Sequence, residues 1–580
     1  MPISDSFYRV INTAVAENCR RLVHSKFSNE LKSLLTEKEE LELFALLKDI
    51  SSLSVSFKDG LAEYTPGLII ENKPSFALTD MTDQQYELLG NIDISKLPLL
   101  LRARIANIYW NEKRIFEKAE EAIASYYELY KSLYDIERWS PCVGYIKHAI
   151  NMAKRLNKND IANNYVTELY NTVIAVQGKD PLYFSTTVIE YLLTFDTIDF
   201  EPLLDILSSI IETTDTPKKK EESYNLIITI YKKKKDSQGE KQSKLQLAKY
   251  YTDSVDVTSD ISSLYISQEN LKKAIHLFNE LGRREDATES IARLQEVQRN
   301  ILENLPSIHF ENDDSHLLEL LYSSLRGLSF EQALIKLIQM VPVFKKDDLK
   351  KAVLDAHKTN LFNGLIKEEE IISETGNTQG IIPSLDPTEP EKDTKVLELH
   401  MHREALTREQ FCGELLRCGL IYIKKNYCFE KEDLAFLFTE NPIIPEDRTN
   451  VMLSAIFHGI NGEFYEALHI LAPQTENLLR SITSIHGDSA VKLKDDDSME
   501  FKLLTSVFDS QKLWDCYDND ILFLLKGLMN EKAGANIRNE IAHGIMSPES
   551  GNSSVSVYFF CLVLKIIHEP SLMATVASEH

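Results

Sequence analysis

The sequence predicts an all-α protein: an irregular, α-solenoid-like helical-repeat region followed by a C-terminal helical bundle that carries a small β-hairpin. Three observations predict it. Glycine (20) and proline (18) are scarce in 580 residues, which disfavours a chain of many short strands and tight turns. Apolar residues recur at three- and four-residue steps, as in IFEKAEEAIASYYELYKSLYDIERW (residues 115–139), the spacing of a helix with one buried stripe. Alternating strand patterns are confined to SVSFKDGLAEY near Ser54 and SAVKLKDDDSMEFKLL near Ser489, each read as a short hairpin.

The length allows roughly three to five domains. Residues 1–95 read as an N-terminal helical domain. Asp5 and Arg9 interrupt the opening MPISDSFYRVIN, so no secretory signal is expected. Residues 96–367 read as the helical-repeat region. Here AINMAKRLNKNDIA (149–162) aligns with AIHLFNELGRREDA (274–287): each has Ala-Ile, a Leu, a polar turn, an acid and a closing Ala. The physical unit is an antiparallel helix pair with small residues where the helices approach, and stacked pairs make solenoids. The regular 34-residue spacing of tetratricopeptide hairpins is absent, and an ordinary helical bundle is the plain alternative.

One stretch of this region is basic. Between positions 218 and 249 ten lysines face four acids. The run YKKKKDSQGEK reads first as a solvated helix end plus loop. The sharper reading makes Lys232, Lys233, Lys234 and Lys235 a contact for RNA phosphate or an acidic partner. No aromatic residue interleaves within the run, so base stacking is not supported there.

Residues 368–395 hold eight acids, two lysines, three prolines and two glycines. Charge and proline together read as an acidic linker. Helical patterning resumes at VLELHMHREAL and continues as a C-terminal domain, 396–580. Its longest apolar run, VYFFCLVL (557–564), is far short of the roughly 20 residues that span a bilayer, so no membrane partner is expected. The seven cysteines are odd in number, scattered and without a C-x-x-C. They predict free thiols and a cytoplasmic location rather than a disulfide framework or a zinc knuckle.

The net charge is −25, which argues against a broad nucleic-acid or anionic-membrane surface. The acidity reaches the C-terminal domain, where residues 397–580 carry 16 basic and 27 acidic side chains. Phosphate-loop, zinc-protease, nucleophile-elbow and EF-hand signatures are absent, and neither metal nor cofactor is expected. Asp495, Asp496 and Asp497 read as a solvated hairpin tip. His400 and His402 read as ordinary polar helix residues.

The string GANIRNEIAHG (534–544) stands apart. Gly534 can end a preceding helix, Asn536 can cap a new one through its side chain, and Gly544 can close it. Arg538 then lies in the first turn and His543 in the last, about 140° apart around an ideal helix, while Asn539 and His543 share a face. These residue types permit metal-free phosphodiester cleavage. A histidine moves the proton of a ribose 2′-OH, an arginine neutralises the phosphorane, and an asparagine orients an oxygen or the histidine. The plain alternatives are a structural salt bridge from Arg538 to Glu476 and a helix-end histidine.

R-N-x-x-x-H-G resembles the R-x(4–6)-H motif of HEPN-superfamily ribonucleases. Residues 441–544 more narrowly resemble a mainly bacterial family of unknown function with that signature. The supporting stretch ends in YEALHILAPQTENLLR (465–480), and LPLLLRARIANIYW (97–110) is a weaker match upstream. A bare R-x(4–6)-H carries little information, since Arg480 and His486 also satisfy it.

The resemblance implies a HEPN-like bundle that acts as a homodimer with a composite cleft. His543 would be the general acid/base, Arg538 the phosphorane stabiliser and Asn539 the orienter. Gln474, Glu476 and Arg480 would face the motif, with Asn536 in support. The expected function is a metal-independent endoribonuclease, a regulated toxin or anti-phage effector cutting RNA, tRNA being one such substrate. The helical repeats would bind a protein trigger or regulator. The alternative is a non-catalytic helical scaffold whose bundle only dimerises or binds a nucleotide.

Overall fold

Helices supply nearly all the regular structure, joined only by four two-stranded antiparallel hairpins among the described residues. The computed structural model describes residues 3–16, 22–58, 61–67, 69–70, 73–74, 76–257, 260–305, 315–359, 367–373, 376–438, 441, 443–485, 487–489, 491–495 and 497–569. The all-α class expected from the sequence is the class observed. Two units separate: 1–255 with 266–294, and 256–265 with 295–580.

In the first unit, helices Leu99–Lys113, Phe116–Leu133, Ser140–Arg155 and Asn159–Val176 each pack on the next in sequence. Buried alanines let them approach: Ala103, Ala106, Ala119, Ala122, Ala149 and Ala153 are fully covered. The two aligned segments end their helices alike. Asn157 and Gly282 both adopt positive φ. Lys158 N–H reaches back to Ala153 O at 2.9 Å, and Arg283 N–H reaches Phe278 O at 2.8 Å, the same left-handed cap at the same step.

The hairpin Ser54–Lys58 with Leu61–Thr65 forms where the alternating pattern placed it. It is tied down by polar groups rather than by propensity. Ala62 N–H donates to Nδ1 of buried His148 at 3.1 Å. Tyr64 and Tyr126 hydroxyls pair at 3.1 Å, and buried Arg104 donates to Ile50 O and Leu53 O.

The second unit is organised on the 33-residue helix Thr394–Asn426, which lies against Ser554–His568. Gly413 sets that approach, because a Cβ there would sit 1.8 Å from Ser554 O. The apolar run 557–564 is buried all round, as befits the central helix of a bundle, and each large side chain there contributes about 1.5–3 kcal/mol. No helix among the described residues is long and apolar enough to cross a membrane.

Two expected boundaries shift. Helices Ser315–Leu325 and Phe330–Met340, assigned from sequence to the repeat region, bury Leu321, Leu325, Leu334 and Leu337 in the core of the C-terminal bundle. Leu337 packs on Gly419, and Tyr558 Oη donates to Pro342 O at 2.7 Å. The acidic stretch 368–395 is not a bare linker. Glu368–Ile372 pairs with Thr378–Pro383, Ile382 and Leu385 are buried, and Gln298 Nε2 donates to Thr378 Oγ1 at 3.1 Å. The β-branched pairs Ile371-Ile372 and Ile381-Ile382 outweigh the surrounding charge.

Candidate functional site

The site begins with a tight turn. After helix Asn519–Met529 the chain folds back on its own Gly527 carbonyl, which accepts from Ala535 N–H at 3.1 Å. Gly534 permits this, since a Cβ there would lie 2.1 Å from that oxygen. Asn536 then enters the left-handed region at φ 51°, a conformation asparagine tolerates better than most residues. The expected side-chain cap does not form. Its Oδ1 instead accepts from Asn539 Nδ2 at 2.7 Å, while the Asn539 amide donates to Asn536 O at 3.1 Å.

The motif helix is Ile537–His543, closed by Gly544 at φ 67°. Arg538 leaves its first turn and forms a forked pair with Glu476, Nε to Oε2 at 2.6 Å and Nη2 to Oε1 at 3.3 Å. Asn539 Oδ1 steadies the same guanidinium, accepting from Nη1 at 3.2 Å. Glu476 lies on the helix Phe464–Ile485 with its side chain only 5 % exposed. Arg480, one turn on, donates Nη2 to the same Oε1 and Nε to Lys502 O at 3.1 Å. One buried carboxylate thus serves two half-buried guanidiniums, a charge-assisted cluster stronger than a surface pair.

The structure therefore gathers Arg538, Asn539, Asn536, Glu476 and Arg480. His543 stands outside that network. It is exposed at the helix end and makes no side-chain hydrogen bond or ion pair among the described residues. Gln474 is half-buried and likewise joins no side-chain bond there. His486 lies outside the described residues.

The lysine run is largely neutralised. Lys232 is 3.9 Å from Glu240, Lys233 is 3.5 Å from Asp196, and Lys234 pairs with Glu201. Lys235 is exposed at positive φ. His402, read as an ordinary polar helix residue, lies in a helix but is buried and stacked on Phe523 at 4.1 Å, and burial lowers its pKa. Its place is explained by Gly527, whose missing side chain leaves the room that the imidazole fills. Among the described residues no three His, Cys, Asp or Glu side chains converge as metal ligands.

Sequence reasoning missed the hairpin Val491–Leu493 with Met499–Phe501 as part of this site. Its Phe501 ring lies under Arg480, with Cζ 5.5 Å from the centroid. The available signal was the alternation of VKL and MEF, which puts apolar side chains on one face.

The fold and site together define an all-α protein with a polar cluster built around a short R-N-x-x-x-H-G helix. Among known families, one described as a domain of unknown function (DUF7380) matches residues 4–164, a stretch that contains the hairpin tied to His148 and not the cluster. No curated protein and no solved structure matches the chain.

Proposed function

We propose that the chain is a metal-independent endoribonuclease of HEPN type, deployed as a regulated toxin or anti-phage effector. The observation that carries this reading is the arrangement of the motif helix: Arg538 is forked onto a buried carboxylate and braced by Asn539, while His543 is exposed and uncommitted. A fixed guanidinium and a free imidazole, brought together across a dimer, suit cleavage by an internal nucleophile. The ribose 2′-OH attacks the adjacent phosphorus, its proton passes to a base, and the 5′-oxygen leaves with a proton, giving a 2′,3′-cyclic phosphate and a 5′-hydroxyl. His543 moves protons in this scheme, and Arg538 neutralises the phosphorane through its outward N–H groups. Since His543 and Arg538 face apart on one helix, the reading includes a homodimer in which each chain completes the other's cleft. The net charge of the C-terminal region favours a presented RNA loop over a long duplex.

A second reading has its own support. Both forked bonds of Arg538 are taken by Glu476, as in a purely structural ion pair, and a scaffold that only dimerises or binds a nucleotide would need no more.

The deciding measurement compares wild type with His543→Ala on total RNA and on tRNA. Exposure predicts that the variant folds with an unchanged melting temperature. The nuclease reading expects cyclic-phosphate ends from wild type and at least a hundredfold loss in the variant. Equal behaviour of the two proteins overturns it.

A further inference from the structure

Beside the Arg538–Glu476–Arg480 cluster stands an aromatic ring that is largely open to solvent. Phe501 is 62 % exposed on the hairpin, and its register partner Val491 and the next pair, Leu493 with Met499, lie on the same face. The opposite face is charged, with Glu500 3.7 Å from Lys492 and 3.1 Å from Lys494. A two-stranded hairpin that shows its apolar face to water is marginal by itself. This one is fixed at its base, where Arg480 bonds Lys502 O at 3.1 Å and lies over the Phe501 ring. The ring is thus backed by a guanidinium on one side and open on the other.

Two features decide what it receives. First, Glu476 brings one negative charge to two guanidiniums, so among the described residues the cluster pairs two positive charges with one negative one within reach of the ring, and the surplus calls for an anion. Second, the apolar face consists of a handful of side chains on six paired residues, far below the roughly 800 Å² per partner of a stable protein interface. One flat apolar surface next to one spare cation matches a nucleotide: a base on the ring and its phosphate on the guanidiniums.

We propose that Phe501, backed by Arg480, is a stacking platform for one unpaired base of single-stranded RNA, whose phosphate is steered to Arg480 and Arg538. This rests on the nuclease reading for its biological sense, but its chemistry is binding and is measured separately.

The test uses the full chain with His543→Ala, so that the probe survives, and a fluorescein-labelled ten-nucleotide single-stranded RNA. Phe501→Ala and Phe501→Leu are each expected to weaken binding about tenfold, the effect of one stacked base. Phe501→Leu keeps the apolar surface and removes only the π face. Phe501→Trp is expected to restore binding and to show indole quenching when RNA is added. An exposed ring predicts that all three variants melt like the parent. Binding by Phe501→Leu equal to the parent overturns the platform, as does absence of RNA binding by the parent. Loss of self-association by Phe501→Leu in sedimentation, with RNA binding unchanged, also overturns it and gives the face to a second copy. The two proposals separate cleanly. Cleavage by wild type with no effect of Phe501 substitutions sinks only the platform. Indole quenching without cleavage by wild type sinks only the nuclease.

Discussion

Asp180 and Glu476 are both buried carboxylates that face cations, one in each unit. Asp180 meets a single cation, Lys219 Nζ at 3.0 Å, and fills its other lone pairs with Phe184 N–H, Ser185 N–H and Ser185 Oγ. Its charge is matched one to one, and Lys219 also donates to Asp180 O. Glu476 divides its charge between Arg538 and Arg480, whose further bonds, to Asn539 Oδ1 and Lys502 O, are to neutral acceptors. The closed pair locks the start of the helix Phe184–Leu192 to the helix Pro217–Lys233. The shared one leaves electrostatic capacity unspent. Burial alone therefore does not mark a site; a mismatch between the charge supplied and the charge required does.

The largest expected effect breaks the closed pair. Asp180→Ala strands the Lys219 ammonium in the core and is expected to cost about 3–5 kcal/mol in urea unfolding, with RNA binding unaltered in whatever fraction stays folded. A cost below about 1 kcal/mol would mean that Lys219 finds water, and the contrast with Glu476 would lapse. Glu476→Gln comes next. It retains shape and one acceptor oxygen while removing the charge, so a loss of about 1–3 kcal/mol is expected. Because Arg538 then loses its anchor, cleavage is expected to fall at least tenfold, more than the stability change accounts for at a temperature where both proteins are folded. A Glu476→Gln protein that is destabilised yet cuts at the wild-type rate would make Glu476 as structural as Asp180.

Much of this is legible in the amino-acid sequence. Helical period gave the fold class, and alternation gave the two hairpins at Ser54 and Ser489. The polar turn shared by segments 149–162 and 274–287 is where the structure puts the matching left-handed residues Asn157 and Gly282. The Arg538–Glu476 pair was open to anticipation because both lie in the resembling stretch. Three things were hidden for physical reasons. Net charge obscured the hairpin of 368–383, whose strands depend on four isoleucines. His402 looked polar because only Gly527, 125 positions away, makes its burial possible. The role of Phe501 depends on Arg480 crossing to another element, a tertiary fact that period-two patterning does not encode.

The smallest effect sharpens the comparison with a third carboxylate, Glu398, about a third exposed. The His402 ring, 3.7 Å away, and the Lys526 ammonium, at 2.6 Å, hold its carboxyl down to about 2 from an ordinary 4.5, against the upward push of burial. At 3.7 Å the imidazole is the looser of the two neighbours and the Lys526 ammonium, at 2.6 Å, the tighter. A carboxyl held below its ordinary value contributes stability that is complete above about 4.5 and drains away as pH falls toward about 2. His402, lowered from 6.5 by burial, acts in a higher window, losing its contribution as pH drops below that value. Urea midpoints measured from pH 7 to pH 2 are expected to start lower for Glu398→Gln than for wild type and to converge with it at the acid end. Parallel curves would show that the Lys526 pair adds nothing that water does not. Convergence would place Glu398 between the other two: matched in charge like Asp180, yet too exposed to matter as Asp180 does.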